Sequence, residues 1–171
     1  MPVFDYTGII DFDGLSTNQN YDSQIGYFFA GGEPGDLSIN SNDDWSDAAD
    51  GTFRTAVPNA TDSTSFVFGS CRYLLRLFGG SFFDSRGDKT FRSINRLIDA
   101  GKSTDLLLMV DDQIYADDLN FISPDDQADE FLSRYRKVFD QKHLQELVGR
   151  VPTYMTLDDH EISNDWEQDR V

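Results

Sequence analysis

The sequence has a single cysteine and no long apolar run, and each shortage excludes a class of protein. Cys71 is the only cysteine, so the chain cannot form an internal disulfide. No segment approaches the length of about 18 apolar residues that marks a membrane-spanning helix. The first residues also lack the basic and apolar stretches of a signal peptide. We therefore expect no membrane partner, and the missing signal peptide favours a cytoplasmic location.

Basic residues are also scarce: 14 Lys and Arg face 31 Asp and Glu, which gives a net charge of −17. A surface with this charge repels the phosphates of nucleic acids, so we expect no nucleic-acid partner. The same charge favours solubility and the binding of cations. Hydrophobic residues still make up 39% of the chain, which is enough to build a core and excludes disorder throughout.

Two regions of the chain differ in composition. Residues 1–62 are rich in Gly, Asn, Ser and Asp, contain one basic residue, Arg54, and show no helical period. Strand patterns at residues 23–30 and 51–57 make this region a predicted β-rich segment. Residues 63–171 alternate strand and helix patterns, so we predict a second unit that begins near residue 63.

The second unit is predicted to have the order β-α-β-α-β. The predicted strands are 65–70, 105–110 and 151–157, and the predicted helices are 88–101, one that starts at Ser123-Pro124, and 143–148. The continuous apolar run at 105–110 is typical of a parallel strand that is buried on both faces. Connections of this length pair strands in parallel, and the pattern therefore predicts an α/β (or α+β) fold.

Titratable side chains follow each of the three predicted strands. Cys71 and Arg72 follow the first strand, "DDQIYADD" (111–118) follows the second, and "DDHE" (158–161) follows the third. Ligands of open α/β sheets bind beyond the carboxyl ends of the strands. So many carboxylates at one rim would repel each other unless a cation neutralised them. The arrangement indicates a metal site.

Each of these residues also has an ordinary structural explanation. Cys71 alone is explained as a small buried residue, Asp112 as a helix cap, Tyr115 as part of a core and His160 as a loop histidine. Templates for other sites are absent: Asn164 stands where an HExxH zinc motif needs its second histidine, and the chain has no GxSxG elbow or P-loop. Their shared placement at three strand ends favours a functional site.

The segments "FGSCR", "LMVDDQIYADD" and "PTYMTLDDHEISNDW" together resemble the alkaline phosphatase D (PhoD-like) family of calcineurin-like metallophosphoesterases. The resemblance covers about residues 50–171, and "GTFRTAVP" is similar to the last strand before the catalytic domain of that family. It implies a partial β-sandwich flanked by helices, preceded by the tail of an N-terminal β-sandwich. It also implies hydrolysis of phosphate monoesters and diesters at a centre that combines iron with calcium.

The resemblance assigns a role to each strand-end residue. It implies that the metal ligands are Cys71 as a thiolate on iron, Asp112 as a bridge between the metals, Tyr115 as a phenolate on iron and Asp159 on the second metal. Thiolate and phenolate are donors suited to iron, and carboxylates suit calcium. His160 is expected near the scissile phosphate.

Two residues are expected to act on the phosphate ester. His160 is suited to donate a proton to the leaving group or to stabilise charge in the transition state. Arg72 is suited to hold a phosphate oxygen with two parallel hydrogen bonds, although pairing with an acid at the surface explains it equally well.

Two departures from the family pattern accompany the resemblance. Asp111 stands where the family usually has Gly, and its side chain would crowd the rim and add a negative charge. The later His- and Asp-bearing motifs of the family would follow this segment. We therefore expect an N-terminal part of a catalytic domain, with an exposed sheet edge and with little or no activity by itself.

A second hypothesis stays open beside the phosphatase. In it, the chain is a non-catalytic module that binds cations or another protein, and the strand-end acids serve only as helix caps and as solvated surface. Metal-dependent hydrolysis of a phosphate ester distinguishes the two hypotheses.

Overall fold

The structure is a computed structural model. It describes residues 8–26, 48–57, 63–77, 82–83, 85–118, 124–167 and 169. Its strands are β1 (Asn20–Ile25), β2 (Ala49–Arg54), β3 (Phe66–Ser70), β4 (Arg76–Leu77), β5 (Phe82–Phe83), β6 (Leu106–Val110) and β7 (Thr153–Met155). Its α-helices are α1 (Lys89–Asp99), α2 (Ala128–Phe139) and α3 (Lys142–Val148), and a turn of 3-10 helix, Ser85–Asp88, precedes α1. Within these ranges, every helix is too short or too polar to cross a membrane.

A parallel sheet with the order β3-β6-β7 forms the centre of the fold. Phe68 lies beside Leu108, and Leu108 lies beside Tyr154. Helix α1 lies in the crossover from β3 to β6, and α2 and α3 lie in the crossover from β6 to β7. The predicted β-α-β-α-β order and the α/β fold class are therefore confirmed, and the three strands end at the same edge of the sheet.

Helices cover one face of this sheet. Leu107 and Met109 of β6 point to that face because alternate residues of a strand face opposite sides. They form a buried core with Leu144, Leu147 and Val151. Partly buried side chains of α1, including Phe91 and Ile94, pack against this core. Apolar residues at helical spacing therefore fix α1 and α3 on the sheet.

The opposite face of the sheet is open in the part of the chain that the structure describes. Phe68 is 61% exposed and Tyr154 is 64% exposed, and Leu108 between them is half-buried. The prediction that β6 is buried on both faces therefore holds for one face only within the described residues. The open face of the sheet is apolar within the described residues.

The start of α2 differs from its prediction. Ser123 lies outside the described residues, Pro124 precedes the helix, and α2 begins at Ala128 after an extended Gln127. A capping box joins Gln127 and Glu130, whose side chain accepts the Gln127 N–H at 3.1 Å. The prediction of the helix start was wrong: the helix begins only at Ala128, and the Glu130 side chain accepts the N–H groups of the two residues just before it.

The N-terminal region contains an antiparallel pair of strands, β1 and β2. The rings of Tyr21 and Phe53 stack across the pair with centroids 5.5 Å apart. The predicted strand at 23–30 overlaps the end of β1, and residues 27–30 lie outside the described residues. The Thr52 N–H donates to the Gly149 carbonyl at 2.9 Å, which joins this pair to the end of α3. The domain boundary near residue 62 stays a prediction.

Candidate metal centre

The loops that follow β3, β6 and β7 are joined to one another by hydrogen bonds. The Arg72 N–H donates to the Asp112 carbonyl at 2.9 Å, which joins the first loop to the second. The Asp111 N–H donates to the Thr156 hydroxyl at 3.0 Å, and the Thr156 N–H donates to the Met109 carbonyl at 3.1 Å. The carboxyl ends of the three strands therefore form one rim, as their parallel order requires.

Asp112, Asp159 and His160 form the first group of candidate ligands on this rim. One donor atom from each residue lies within 4.8 Å of the other two. Asp112 is buried and accepts the His160 backbone N–H at 3.2 Å, while Asp159 and His160 are half-buried. The Asp159 carboxylate also accepts the Asp165 N–H, which limits its orientation. Two carboxylates and an imidazole at this separation are suited to one divalent cation.

Cys71, Asp112 and Tyr115 form the second group. The Tyr115 hydroxyl lies near the Asp112 carboxylate and the Cys71 thiol. Burial raises the pKa of Tyr115, and hydrogen bonding to these two groups and their negative charge raise it further. A cation beside the same oxygen would act in the opposite direction and favour the phenolate. The donors fit iron, since a thiol, a phenol and a carboxylate meet at one place.

Asp112 belongs to both groups, and it is the residue that joins them. The sequence analysis assigned four metal ligands, and the structure brings all four to the same rim: Cys71, Asp112, Tyr115 and Asp159. Cys71 is exposed and has a φ of +55°, a left-handed conformation that is costly for residues other than Gly. That conformation turns the chain sharply at the end of β3.

His160 is held by a residue that the sequence analysis did not single out. Its Nδ1 lies 2.7 Å from Oδ2 of Asp117, and its ring packs against Tyr115 with centroids 4.5 Å apart. Because carboxylate oxygens accept hydrogen bonds, Nδ1 donates and Nε2 remains available. Burial alone would lower the pKa of His160, but the hydrogen bond and the charge of Asp117 raise it. The Asn164 N–H donates to the same Asp117 oxygen at 2.8 Å.

The Arg72 side chain does not join the candidate ligands. Its guanidinium donates to the Val138 carbonyl at 2.9 Å and lies over the Phe91 ring, 5.0 Å from the centroid. Burial lowers the pKa of Arg72 to about 10, and the charge of Asp88 acts against that effect. These contacts direct the guanidinium toward the helices. The phosphate-binding role of Arg72 stays a prediction.

Asp111 occupies a backbone position that favours glycine. Its φ of +66° lies in the left-handed region. Its carboxylate accepts hydrogen bonds from Ser70 at 3.0 Å and from the Cys71 thiol at 3.4 Å. Hydrogen bonding between the Asp111 and Asp158 carboxyl groups lowers the pKa of Asp111 and raises that of Asp158. The expected crowding of the rim is therefore a contact between two acids.

Two further buried residues lie on the rim: Gln113, which the sequence analysis did not name, and Glu161, which it placed at the strand end without a role. Both lie in the segments "DDQIYADD" and "DDHE" that supplied the candidate ligands. Their side chains bond mainly to backbone groups of the loops after β6 and β7. The sequence gives little signal for such contacts, because they depend on how two distant loops meet.

The fold and the rim together define the class of protein. It is an α/β protein with a candidate metal site at the carboxyl ends of parallel strands. A comparison with protein families then matches residues 75–171 to the PhoD-like phosphatases. The match covers more than half of the chain, which belongs to the PhoD-like phosphatase family. No curated protein and no solved structure gave a significant match.

The family match confirms the resemblance found in the sequence and supports a phosphatase-type function at the level of the family. Asp112, Tyr115, Asp159 and His160 lie inside the matched segment, and Cys71 precedes it. The contribution of Cys71 to the rim therefore depends on the geometry alone.

Proposed function

We propose that the chain carries a metal-dependent phosphatase or phosphodiesterase site that hydrolyses phosphate esters. The observation that supports this proposal is the approach of Asp112, Asp159 and His160 to within 4.8 Å on the rim of a PhoD-like chain. The acidic rim alone would repel an anionic ester. A cation would reverse that repulsion, so the proposed substrate and the proposed metal require each other.

The proposed ligands divide between two ions. Cys71 and Tyr115 would hold iron, Asp159 would hold calcium, and Asp112 would contribute to both sites. The grouping of donor types supports this division, because the thiol and the phenol lie near Asp112 and Asp159 belongs to the other group. The chemistry that two bound cations supply is the neutralisation of charge on the phosphoryl group and the acidification of a water molecule.

His160 is the proposed proton donor to the leaving-group oxygen. Asp117 holds Nδ1 at 2.7 Å, so the ring presents Nε2 to the substrate. The charge of Asp117 also favours the protonated imidazolium that such a donor needs. The Tyr115 ring, tilted against the imidazole, limits its rotation. The same Nε2 atom is also a possible ligand, and the His160→Gln variant described in the Discussion separates these roles.

Metal removal and reconstitution test the proposed function. The purified chain is treated with a chelator and reloaded with Fe³⁺ and Ca²⁺, and metal content, visible absorption and hydrolysis are measured. We expect an iron–phenolate absorption band, and slow hydrolysis of p-nitrophenyl phosphate or its bis ester that disappears after chelation. Tyr115→Phe should bleach the band. The control Tyr135→Phe changes a half-buried tyrosine outside the ligand groups and should keep the band.

Each alternative predicts a different result. Metal binding without the iron–phenolate band favours the non-catalytic cation-binding module. Hydrolysis that survives chelation contradicts the proposed metal dependence. A protein that takes up neither ion contradicts both the phosphatase proposal and the cation-binding alternative.

A further inference from the structure

Glu161 is a buried carboxylate that contacts two loops at once. One of its oxygens accepts the backbone N–H groups of Gln113 and, at 3.3 Å, Ile114, both in the loop after β6. The other oxygen accepts the Asp158 N–H at 2.9 Å, in the loop after β7. The residue is 6% exposed, so these bonds are shielded from water. Both carboxylate oxygens are therefore occupied by backbone donors.

The Gln113 side chain joins the same two loops as a hydrogen-bond donor, whereas Glu161 joins them as an acceptor. Its amide nitrogen donates to the carbonyls of Asp111 at 2.7 Å, Met109 at 3.1 Å and Thr156 at 3.0 Å. Gln113 is almost fully buried. Glu161 thus collects backbone N–H groups and Gln113 binds backbone carbonyls across one junction, which we call the loop clamp.

The candidate ligands are divided between the loops that the clamp joins. Asp112 lies in the loop after β6, and Asp159 and His160 lie in the loop after β7. Their donor atoms lie within 4.8 Å of one another only while the loops keep their present separation. The residues that fix this separation therefore control the spacing of the donors.

We propose that Glu161 is a positioning residue of the metal centre, which sets the distance between Asp112 and the Asp159–His160 pair through the loop clamp. This inference rests on the proposed function. It assigns Glu161 no contact with substrate or metal, because both of its oxygens are occupied by backbone N–H groups. Gln113 shares this role, because its side chain donates to backbone carbonyls where Glu161 accepts from backbone N–H groups.

A purely structural role is the alternative, and Asp88 provides a matched comparison. Asp88 is also 6% exposed, and its carboxylate accepts the backbone N–H groups of His143 at 3.0 Å and Leu144 at 3.1 Å. These bonds cap the start of α3, on the helix-covered side of the sheet. Loss of either carboxylate leaves buried donors unpaired and lowers stability. Only the loss of Glu161 should also change the metal centre.

The test compares Glu161→Gln with Asp88→Asn in the full chain. In the first variant the amide offers one acceptor and one donor group, so an N–H of the side chain faces a backbone N–H at one loop. We expect Ca²⁺ affinity, measured by isothermal titration, to fall about 10- to 100-fold in Glu161→Gln. We expect Asp88→Asn to keep the wild-type affinity, and we expect thermal unfolding to show that both variants are destabilised.

A Co²⁺ spectrum and a second variant complete the test of the positioning role. Co²⁺, used as the probe ion, should give a different d–d spectrum in Glu161→Gln and the wild-type spectrum in Asp88→Asn. If Glu161→Gln does not fold, Gln113→Met removes the other half of the clamp without a change in charge and should weaken Ca²⁺ binding in the same way. Wild-type affinity and spectrum in the folded clamp variants overturn the positioning role.

Failure of the inference differs from failure of the proposed function. If the wild-type chain binds neither Ca²⁺ nor Co²⁺, the proposed metal centre and the positioning role are both overturned. If the wild-type chain binds the ions and the clamp variants bind them equally well, only the positioning role is overturned.

Discussion

The acids of the rim fall into two groups that differ in what satisfies them. Asp112 and Glu161 are buried and accept backbone N–H groups. Asp111 and Asp158 are less buried, and each shifts the pKa of the other. Buried acids bonded to backbone donors have fixed positions, which a metal ligand or a positioning residue needs. The acid pair instead adds negative charge beside the site, and its position depends on protonation.

The largest expected effect comes from removal of the buried acid shared by both ligand groups. Asp112→Asn leaves the size of the side chain unchanged but removes the bridging charge, so we expect metal affinity to fall by more than about 100-fold. Hydrolysis should become undetectable. Metal titration and a p-nitrophenyl phosphate assay measure both effects. Asp118→Asn changes an equally buried acid outside the ligand groups and should retain metal binding. Equal losses in the two variants would contradict the special role of Asp112.

The His160→Gln variant is expected to rank second. Loss of a positioned proton donor lowers hydrolysis by about 10²- to 10⁴-fold, while iron and calcium content stay at the wild-type level. Metal analysis of the variant together with its rate checks this expectation. His143→Gln is the control, because the second histidine lies in α3, away from the rim. Loss of metal in the His160 variant would instead identify the imidazole as a ligand.

Asp117→Asn should have a smaller effect than loss of the imidazole itself. The amide keeps the size of the side chain but loses the charge that orients and protonates His160, so we expect a rate reduced about 10-fold. The pH profile gives a second readout. Asp117 raises the pKa of His160, so its removal should lower that pKa and shift the alkaline limb of the profile to lower pH. An unchanged profile would show that Asp117 only maintains the loop.

The less buried pair should give the smallest effect and the opposite sign. Asp111→Asn removes a negative charge but keeps a side chain that tolerates a positive φ, and Asp111→Gly also relieves the left-handed conformation. We expect modest increases in thermal stability, larger for Gly than for Asn if backbone strain dominates. Differential scanning calorimetry ranks the variants. The control is Asp126→Asn, which changes an exposed acid just before α2. Destabilisation by both variants would show that the bond to Asp158 stabilises the rim.

The placement of the candidate ligands could be read from the sequence because it depends on strand order. Three apolar strands joined by helical crossovers must end at one edge when they pair in parallel, so residues directly after them meet. Cys71, Asp112, Asp159 and His160 follow this rule. The family resemblance added their proposed roles and the importance of Tyr115, which periodicity alone would place in a core.

Side-chain direction beyond the strand ends could not be predicted. Alternation ends at Cys71, whose left-handed conformation redirects the chain, so the pattern gave no indication that Arg72 would lie over Phe91. The loop clamp was also missed, because Gln113 and Glu161 bond to the backbone of loops far apart in sequence. The start of α2 was misplaced because a Gln-Glu capping box is a weaker sequence signal than Ser-Pro.

The position of Asp112 in both ligand groups has a thermodynamic consequence. If both proposed ions bind, a shared Asp112 carboxylate would couple their binding, so occupancy on the Cys71 and Tyr115 side would change the affinity on the Asp159 side. By linkage, the factor by which iron alters calcium affinity equals the factor by which calcium alters iron affinity. Two calcium titrations, with and without iron, therefore measure a cooperativity that one buried side chain transmits.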